Sequence, residues 1–361
     1  MTTESNIQTL LNNYFDSYLQ KTWGEVKAVK QWKQSDGVLT ADITLGYPAL
    51  GLEPSLFESL KKSFLAIPGI REVCLQFTAQ IQAHATQPTL QPLAQVKNII
   101  AVGSGKGGVG KSTTAANIAA ALSLQGVKTG ILDADIYGPN QSQMLGIKQK
   151  IIPEDGKPLQ PVYAHGMQTM SMAYLIDTNT PMIWRGPMVS SALQQLIQNT
   201  AWQALDYLIV DLPPGTGDIQ LTLSQKIPVA GAVIVTTPQD IALLDARKGL
   251  EMFRKVNVPI LGIIENMSAY ICSVCGHHEA LFGEGGAERL IRSTETELLG
   301  QVPLVKSIRE QADAGVPIVL AMPDSDAAVT YQHIARRIAA KLSLQPKNHN
   351  SKFPKIVVEN S

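Results

Sequence analysis

Residues 105–112 read Gly-Lys-Gly-Gly-Val-Gly-Lys-Ser, and few folds accommodate that octapeptide between its two flanks. Before it runs Asn98-Ile-Ile-Ala-Val-Gly103, an apolar stretch with the character of a strand. After it, Lys111 to Gln125 has the composition of a helix. A glycine loop ending in Lys-Ser, set between strand and helix, is the context of a phosphate-binding loop. Glycines let backbone N–H groups close around a phosphate that side chains would keep away. The helix N-terminus adds partial positive charge at the same spot. Lys111 is spaced to reach β- and γ-phosphates, and the Ser112 hydroxyl is the expected Mg²⁺ ligand. The binding set is therefore Gly105, Lys106, Gly107, Gly108, Val109, Gly110, Lys111, Ser112 and Thr113.

Downstream, short apolar runs alternate with helical stretches: Ile99–Val102, Thr129–Asp133, Tyr207–Asp211, Ala232–Thr237 and Ile260–Ile264. Nearly all-apolar strands are buried on both faces, as in a parallel sheet covered by helices. The fold class expected is α/β, a doubly wound, mostly parallel sheet with right-handed crossovers, preceded by a small α+β domain. Ligands in such sheets sit at the carboxyl ends of strands. Acidic residues fall there: Asp133 and Asp135 after one strand, Asp211 after the next. Asp211 is the expected Mg²⁺ partner, through water. Gly215, in the following Pro-Pro-Gly-Thr-Gly, is positioned to offer an N–H to a γ-phosphate.

Residues 1–83 read as the small domain, with helices at Ile7–Leu19 and Leu56–Ala66 and strands at Val26–Trp32, Gly37–Leu45 and Val73–Gln82. Residues 84–96 hold two prolines and little periodicity, which reads as a linker. Residues 97–345 form the large domain, and 346–361 a polar tail with one apolar patch, Ile356-Val357-Val358. Lys plus Arg and Asp plus Glu are both 30, so the chain is neutral and lacks the basic excess of a nucleic-acid binder. The N-terminus has no secretory pattern, no apolar run is long enough to span a bilayer, and the tail lacks an amphipathic period. Three cysteines fit a reducing compartment. The expectation is a soluble, cytoplasmic protein that engages neither membrane nor nucleic acid.

Two of those cysteines lie in Cys272-Ser-Val-Cys275-Gly-His277-His278. A C-x-x-C pair serves as a redox dithiol, half a zinc site, half an iron–sulfur site, or two inert thiols. Its position after the fifth strand of a nucleotide-binding sheet is wrong for a thioredoxin-like dithiol. Structural zinc and iron–sulfur sites want four ligands. Cys74 lies in the other domain, on a strand expected to be buried. Two routes to four ligands remain: zinc completed by His277 and His278, or two copies of the pair in a symmetric dimer.

The second lysine of the loop, Lys106, gives it the deviant form that resembles the MinD/ParA/nitrogenase-iron-protein class. That resemblance implies that Lys106 reaches across a dimer interface to the other subunit's nucleotide, that Asp135 positions the attacking water, and that Asn266, just past a later strand, contacts the adenine. The strings GSGKGGVGKST, DADIYGPN, PMIWRGPM, VDLPPGTGD, TTPQDIALLDARKG, IENMS and CSVCGHHEALFGEGGAERL together resemble the Mrp/ApbC family of P-loop iron–sulfur carriers. The likeness covers about residues 95–340. It implies a homodimer bridging a [4Fe–4S] cluster through Cys272 and Cys275, binding and slow hydrolysis of ATP with Mg²⁺ in which Lys106, Lys111 and Asp135 are catalytic, and exchange of the cluster with donor and apo client proteins. Two rival functions stand beside it: a MinD/ParA-like positioning ATPase, and a zinc-bridged dimeric regulatory protein.

Overall fold

The computed structural model describes residues 3–87, 90–176 and 186–348. The small N-terminal unit consists of α1 (Thr3–Asn13), β1 (Val29–Ser35), β2 (Val38–Leu45), α2 (Glu53–Leu65) and β3 (Glu72–Ala79). Alternation in β2 turns Leu39, Ala41, Ile43 and Leu45 into the core. β1 pairs antiparallel to β2 and β3 parallel to it, so α2 is the crossover that a parallel pair demands.

Three expectations for this unit change. The first helix stops at Asn13 instead of Leu19. The chain turns there around buried Asp16, whose carboxylate accepts the Tyr18 and Leu19 N–H groups at 2.9 and 3.1 Å and the Tyr47 hydroxyl at 2.6 Å. The first strand of the sheet starts at Val29, not Val26, because Trp23–Val26 forms one helical turn closed by a Thr22–Glu25 capping box. Cys74 is exposed, not buried: β3 turns Val73 inward, and Cys74 has the opposite parity.

The large unit runs β4 (Val96–Ser104), α3 (Lys111–Leu124), β5 (Thr129–Asp133), β6 (Val162–Ala164), β7 (Met167–Ser171), α4 (Gly186–Asn199), β8 (Leu205–Asp211), α5 (Asp218–Lys226), β9 (Gly231–Thr236), α6 (Asp240–Lys255), β10 (Ile260–Ile271), β11 (His278–Glu279), α7 (Gly286–Thr294), β12 (Leu298–Leu304) and α8 (Asp326–Ser343). Among the described residues these strands form a nine-stranded sheet ordered β11-β10-β9-β4-β8-β5-β7-β6, with β12 also on β10. Only β6 and β11, at the margins, pair antiparallel. Both faces are covered. Ile100 and Val102 of β4 join a core that includes Ala115 and Ile118 of α3 and Tyr331 of α8. Ile99 and Ala101 join the opposite core with Leu193 of α4 and Phe253 of α6. The α/β class and mostly parallel sheet expected from the apolar runs are what the chain forms.

Segment 84–96 connects the two units without hanging free. His84 and Gln87 are buried, and their bonds reach the large unit: His84 N–H to the Asn98 side-chain oxygen at 3.1 Å, Gln87 Nε2 to the Ser224 carbonyl at 2.9 Å. From α8, buried Arg336 donates to the Leu50 carbonyl at 2.9 Å, tying the small unit to the large one. Most of the Pro181–Met188 string, and the tail beyond Asn348 with its Ile356–Val358 patch, lie outside the described residues. Among the described residues no helix is long and apolar enough to cross a membrane.

Candidate functional site

β4, β5 and β8 lie side by side, with Asp133 and Asp211 in register at the ends of β5 and β8. The loop 105–110 leaves β4 at that same edge and enters α3. Gly110 caps the helix at φ +79°, a conformation that favours glycine. Its backbone also passes so close to Asn266 that a Cβ would lie 2.1 Å from that side chain's nitrogen. Gly105 has a different reason: a Cβ there would lie 2.1 Å from the Asp245 backbone carbon in α6.

Lys111 is 5% exposed and Asp211 0% exposed, and the two form a buried ion pair. Lys111 Nζ also lies 3.2 Å from the Ser112 hydroxyl. Gln141 braces the pair, donating from Nε2 to Asp211 Oδ2 at 2.8 Å and to the Ser112 carbonyl at 2.9 Å. Asp133 accepts from the Gln141 N–H at 3.1 Å, the Asp135 N–H at 3.2 Å and the Ser171 hydroxyl at 3.2 Å. Burial, and then the Asp211 carboxylate beside it, push the Asp133 carboxyl up to about 7. Burial also raises Asp135, against the opposing pull of Lys111. Asp211 thus pairs with the ammonium directly, while Asp133 and Asp135 lie close enough to feel its charge.

Of the residues singled out in the sequence, the structure puts Lys111 in contact with Ser112 and Asp211, and links Asp135 to them only through Asp133. Asp133 and Gln141 join them. Asp133 was visible as a strand-end acid, whereas nothing in the sequence marks Gln141. Other predicted residues have specific partners. Lys106 Nζ contacts Gln239 Oε1 at 3.4 Å. The Thr113 hydroxyl lies 3.9 Å from the Met144 sulfur. The Gly215 N–H, expected to face a phosphate, donates to the Ser104 carbonyl at 3.0 Å. Asn266 lies within β10 rather than past its end, and donates to the Val109 carbonyl of the loop at 2.9 Å.

The cysteine pair crowns a hairpin at the end of β10. Tyr270 and Ile271 pair with β11, and the Cys272 N–H donates to the His277 carbonyl at 2.9 Å. The turn closes with the Gly276 N–H on the Cys272 carbonyl at 2.9 Å, Gly276 taking φ +71°. Backbone N–H groups of Cys275 and Val274 aim at the Cys272 sulfur and lower its pKa below the usual thiol range. That favours the thiolate, the form that binds metal. Cys275 is exposed and Cys272 half-buried. Among the described residues no three His, Cys, Asp or Glu side chains converge on a metal position within one chain. A zinc site made in one chain from this pair with His277 and His278 is therefore not assembled.

A phosphate loop, strand-end acids and a raised pair of thiols agree with what comparison finds. Residues 95–339 match the family model described as "ParA: NUBPL iron-transfer P-loop NTPase". The chain belongs to that family. An iron–sulfur cluster carrier protein of Pseudomonas fragi is 58% identical over 278 residues, covering 76% of this chain and 97% of the relative. One of that name from Escherichia coli K12 is 48% identical over 336 residues, 93% of this chain and 91% of the relative. Among solved structures, a nucleotide-binding protein from Archaeoglobus fulgidus in complex with ADP is 38% identical, with a TM-score of 0.55 over 61% of this chain and 87% of that one. The Pyrococcus furiosus cell-division ATPase MinD shares the fold, at 23% identity and a TM-score of 0.50 over 67% of this chain and 98% of its own.

Proposed function

We propose that this chain is an iron–sulfur cluster carrier that takes a [4Fe–4S] cluster as cargo between two copies of itself and hands it to apoproteins, binding ATP and hydrolysing it slowly. The observation that carries the reading is the hairpin-borne pair Cys272 and Cys275. Two accessible thiols in a turn whose N–H groups favour thiolate form half of a four-thiolate site. A second copy supplies the other half. Exposure at a hairpin tip suits cargo that must be given up as well as held. Relatives named as iron–sulfur cluster carriers over nearly the whole chain support the same reading.

In the nucleotide site each residue has a task. Backbone N–H groups of 105–112 surround the phosphates, and the Lys111 ammonium neutralises β- and γ-phosphate charge in a nearly dry site. Ser112 and Asp211 would hold Mg²⁺, which would supply further charge neutralisation when bound. Asp135 orients the attacking water, and Lys106 reaches the nucleotide of the other copy. Asn266 lies beside the loop, where the adenine contact is proposed. The site lies in the large unit at 97–345, with 1–83 as a separate small domain.

The test is anaerobic reconstitution of single variants, followed by iron, sulfide and zinc quantification. Cys272→Ala and Cys275→Ala should each fail to retain cluster. Cys74→Ala should retain it at no folding cost, since Cys74 is exposed. A full iron and sulfide complement on Cys272→Ala, or zinc alone on the wild-type chain, would overturn the reading.

A further inference from the structure

Glu265 and Asn266 are consecutive in β10, so their side chains leave opposite faces of the sheet. Asn266 points to the phosphate loop and bonds the Val109 carbonyl at 2.9 Å. Glu265, 1% exposed, uses both oxygens on the other side. Oε2 accepts the Ala287 N–H at 2.8 Å, in the first turn of α7, and Oε1 accepts from Gln301 Nε2 at 2.8 Å. A carboxylate is favoured at a helix N-terminus.

These two residues sit where both legs of the cysteine hairpin meet. β10 leaves them toward Cys272, and α7 is where the chain returns. The return leg is held a second time. Gly286 packs so tightly on Pro238 that a Cβ would lie 2.6 Å from its carbonyl oxygen, and Arg289 pairs with Asp240 at 3.0 Å. Between Pro238 and Asp240 lies Gln239, the partner of Lys106. The root of the hairpin therefore touches the phosphate loop at Val109, and packs on the Pro238–Asp240 stretch whose Gln239 meets Lys106. Between Asn266 and Tyr270 the pairing with β12 shifts register, and Met267 adopts φ +56°. A non-glycine residue in that region stores strain, and a bulge beside a site re-aims the chain beyond it.

We propose that Asn266 is a positioning residue that ties the aim of the Cys272 and Cys275 thiols to the state of the phosphate loop. The proposal rests on reading that loop as the nucleotide site, and it names the regulation of the cysteine pair by that site. Phosphate draws the Val109–Gly110 backbone, Asn266 moves with the Val109 carbonyl, and the bulge at Met267 passes the shift to the hairpin.

Alkylation kinetics on the metal-free full chain test this without any cluster. Iodoacetamide labelling of each cysteine is read by peptide mass spectrometry, with and without a saturating, non-hydrolysable ATP analogue and Mg²⁺. Cys74, exposed and distant in the fold, serves as the internal reference. Labelling of Cys272 or Cys275 should change by about five-fold or more with nucleotide, the lower end of ordinary coupling between sites, while Cys74 stays constant. Asn266→Asp keeps the size but turns an oxygen toward the Val109 carbonyl; at saturating analogue its response should fall below about two-fold. Glu265→Gln leaves the loop contact in place and weakens the grip on α7, so its response should shrink as well. Wild-type thiol rates that ignore bound nucleotide, or a full response in Asn266→Asp, would overturn the proposal alone. Failure of the wild-type chain to bind the analogue by calorimetry would overturn it together with the nucleotide-site reading.

Discussion

Replacing Gly105 by alanine should destabilise the whole large unit, and the reason is packing rather than phosphate. The added Cβ would lie 2.1 Å from the Asp245 carbon, 2.2 Å from its oxygen and 2.4 Å from the Ala246 nitrogen. All three are backbone atoms of α6, so no side chain can swing aside. Ordinary contact begins near 3.4 Å, and α6 must retreat by roughly 1.3 Å from a packed interior to restore it. Overpacking of this kind costs about 3 kcal/mol, which lowers the melting temperature of a chain this size by about 4 °C. Gly107 is the control. A Cβ there meets nothing within 4 Å, so Gly107→Ala should melt with the wild type and lose only nucleotide affinity. Thermal unfolding by circular dichroism, without nucleotide, reads both variants. A wild-type melting temperature for Gly105→Ala, or an equal loss for Gly107→Ala, would refute the packing argument.

Lys111→Ala should abolish ATP turnover and also cost about 3 kcal/mol in urea unfolding, because Asp211 is left buried without its cation; turnover and affinity at wild-type levels would contradict it. Asp135→Asn should bind ATP normally and hydrolyse it more slowly, measured as phosphate release, and an unchanged rate would return Asp135 to a turn-forming role. His84 is held below its ordinary 6.5 by burial and by nearby Lys347. The unfolded chain therefore takes up a proton that the folded chain refuses as pH falls below 6.5. Stability present above that pH is lost on acidification, by at most about 1.4 kcal/mol per pH unit from this group. His84→Gln should flatten the loss between pH 6.5 and 5 in urea titrations, and an unaltered slope would count against the assignment.

The large unit was legible because its chemistry and its strands leave strong marks. Strands buried on both faces are apolar runs, and the acids that end them stand out by contrast. Asp133 and Asp211 could be read in this way, and so could the glycine loop that follows β4. The apolar run of β10 ends at Ile264, short of the strand's end at Ile271, because Glu265, Asn266 and Ser268 are polar. Each is nonetheless satisfied by a partner distant in sequence: Ala287, Val109 and Val302. Gln141 escaped for the same reason, since a single amide in a loop carries no pattern. In the small unit, Tyr14, Tyr18 and Leu19 continue a helical spacing past Asn13, and only the burial of Asp16 explains why the chain turns. The exposure of Cys74 was available: it shares parity with Gln76 and Thr78, opposite to Val73, Leu75 and Phe77.

The central claim is that two chains share one cargo through two thiols each. Iron and sulfide content of the anaerobically reconstituted wild-type chain, measured with particle mass by light scattering, tests it most directly. The account predicts about four iron and four sulfide per particle of twice the 39.0 kDa chain mass. A full four-iron complement on a particle of single-chain mass would contradict it.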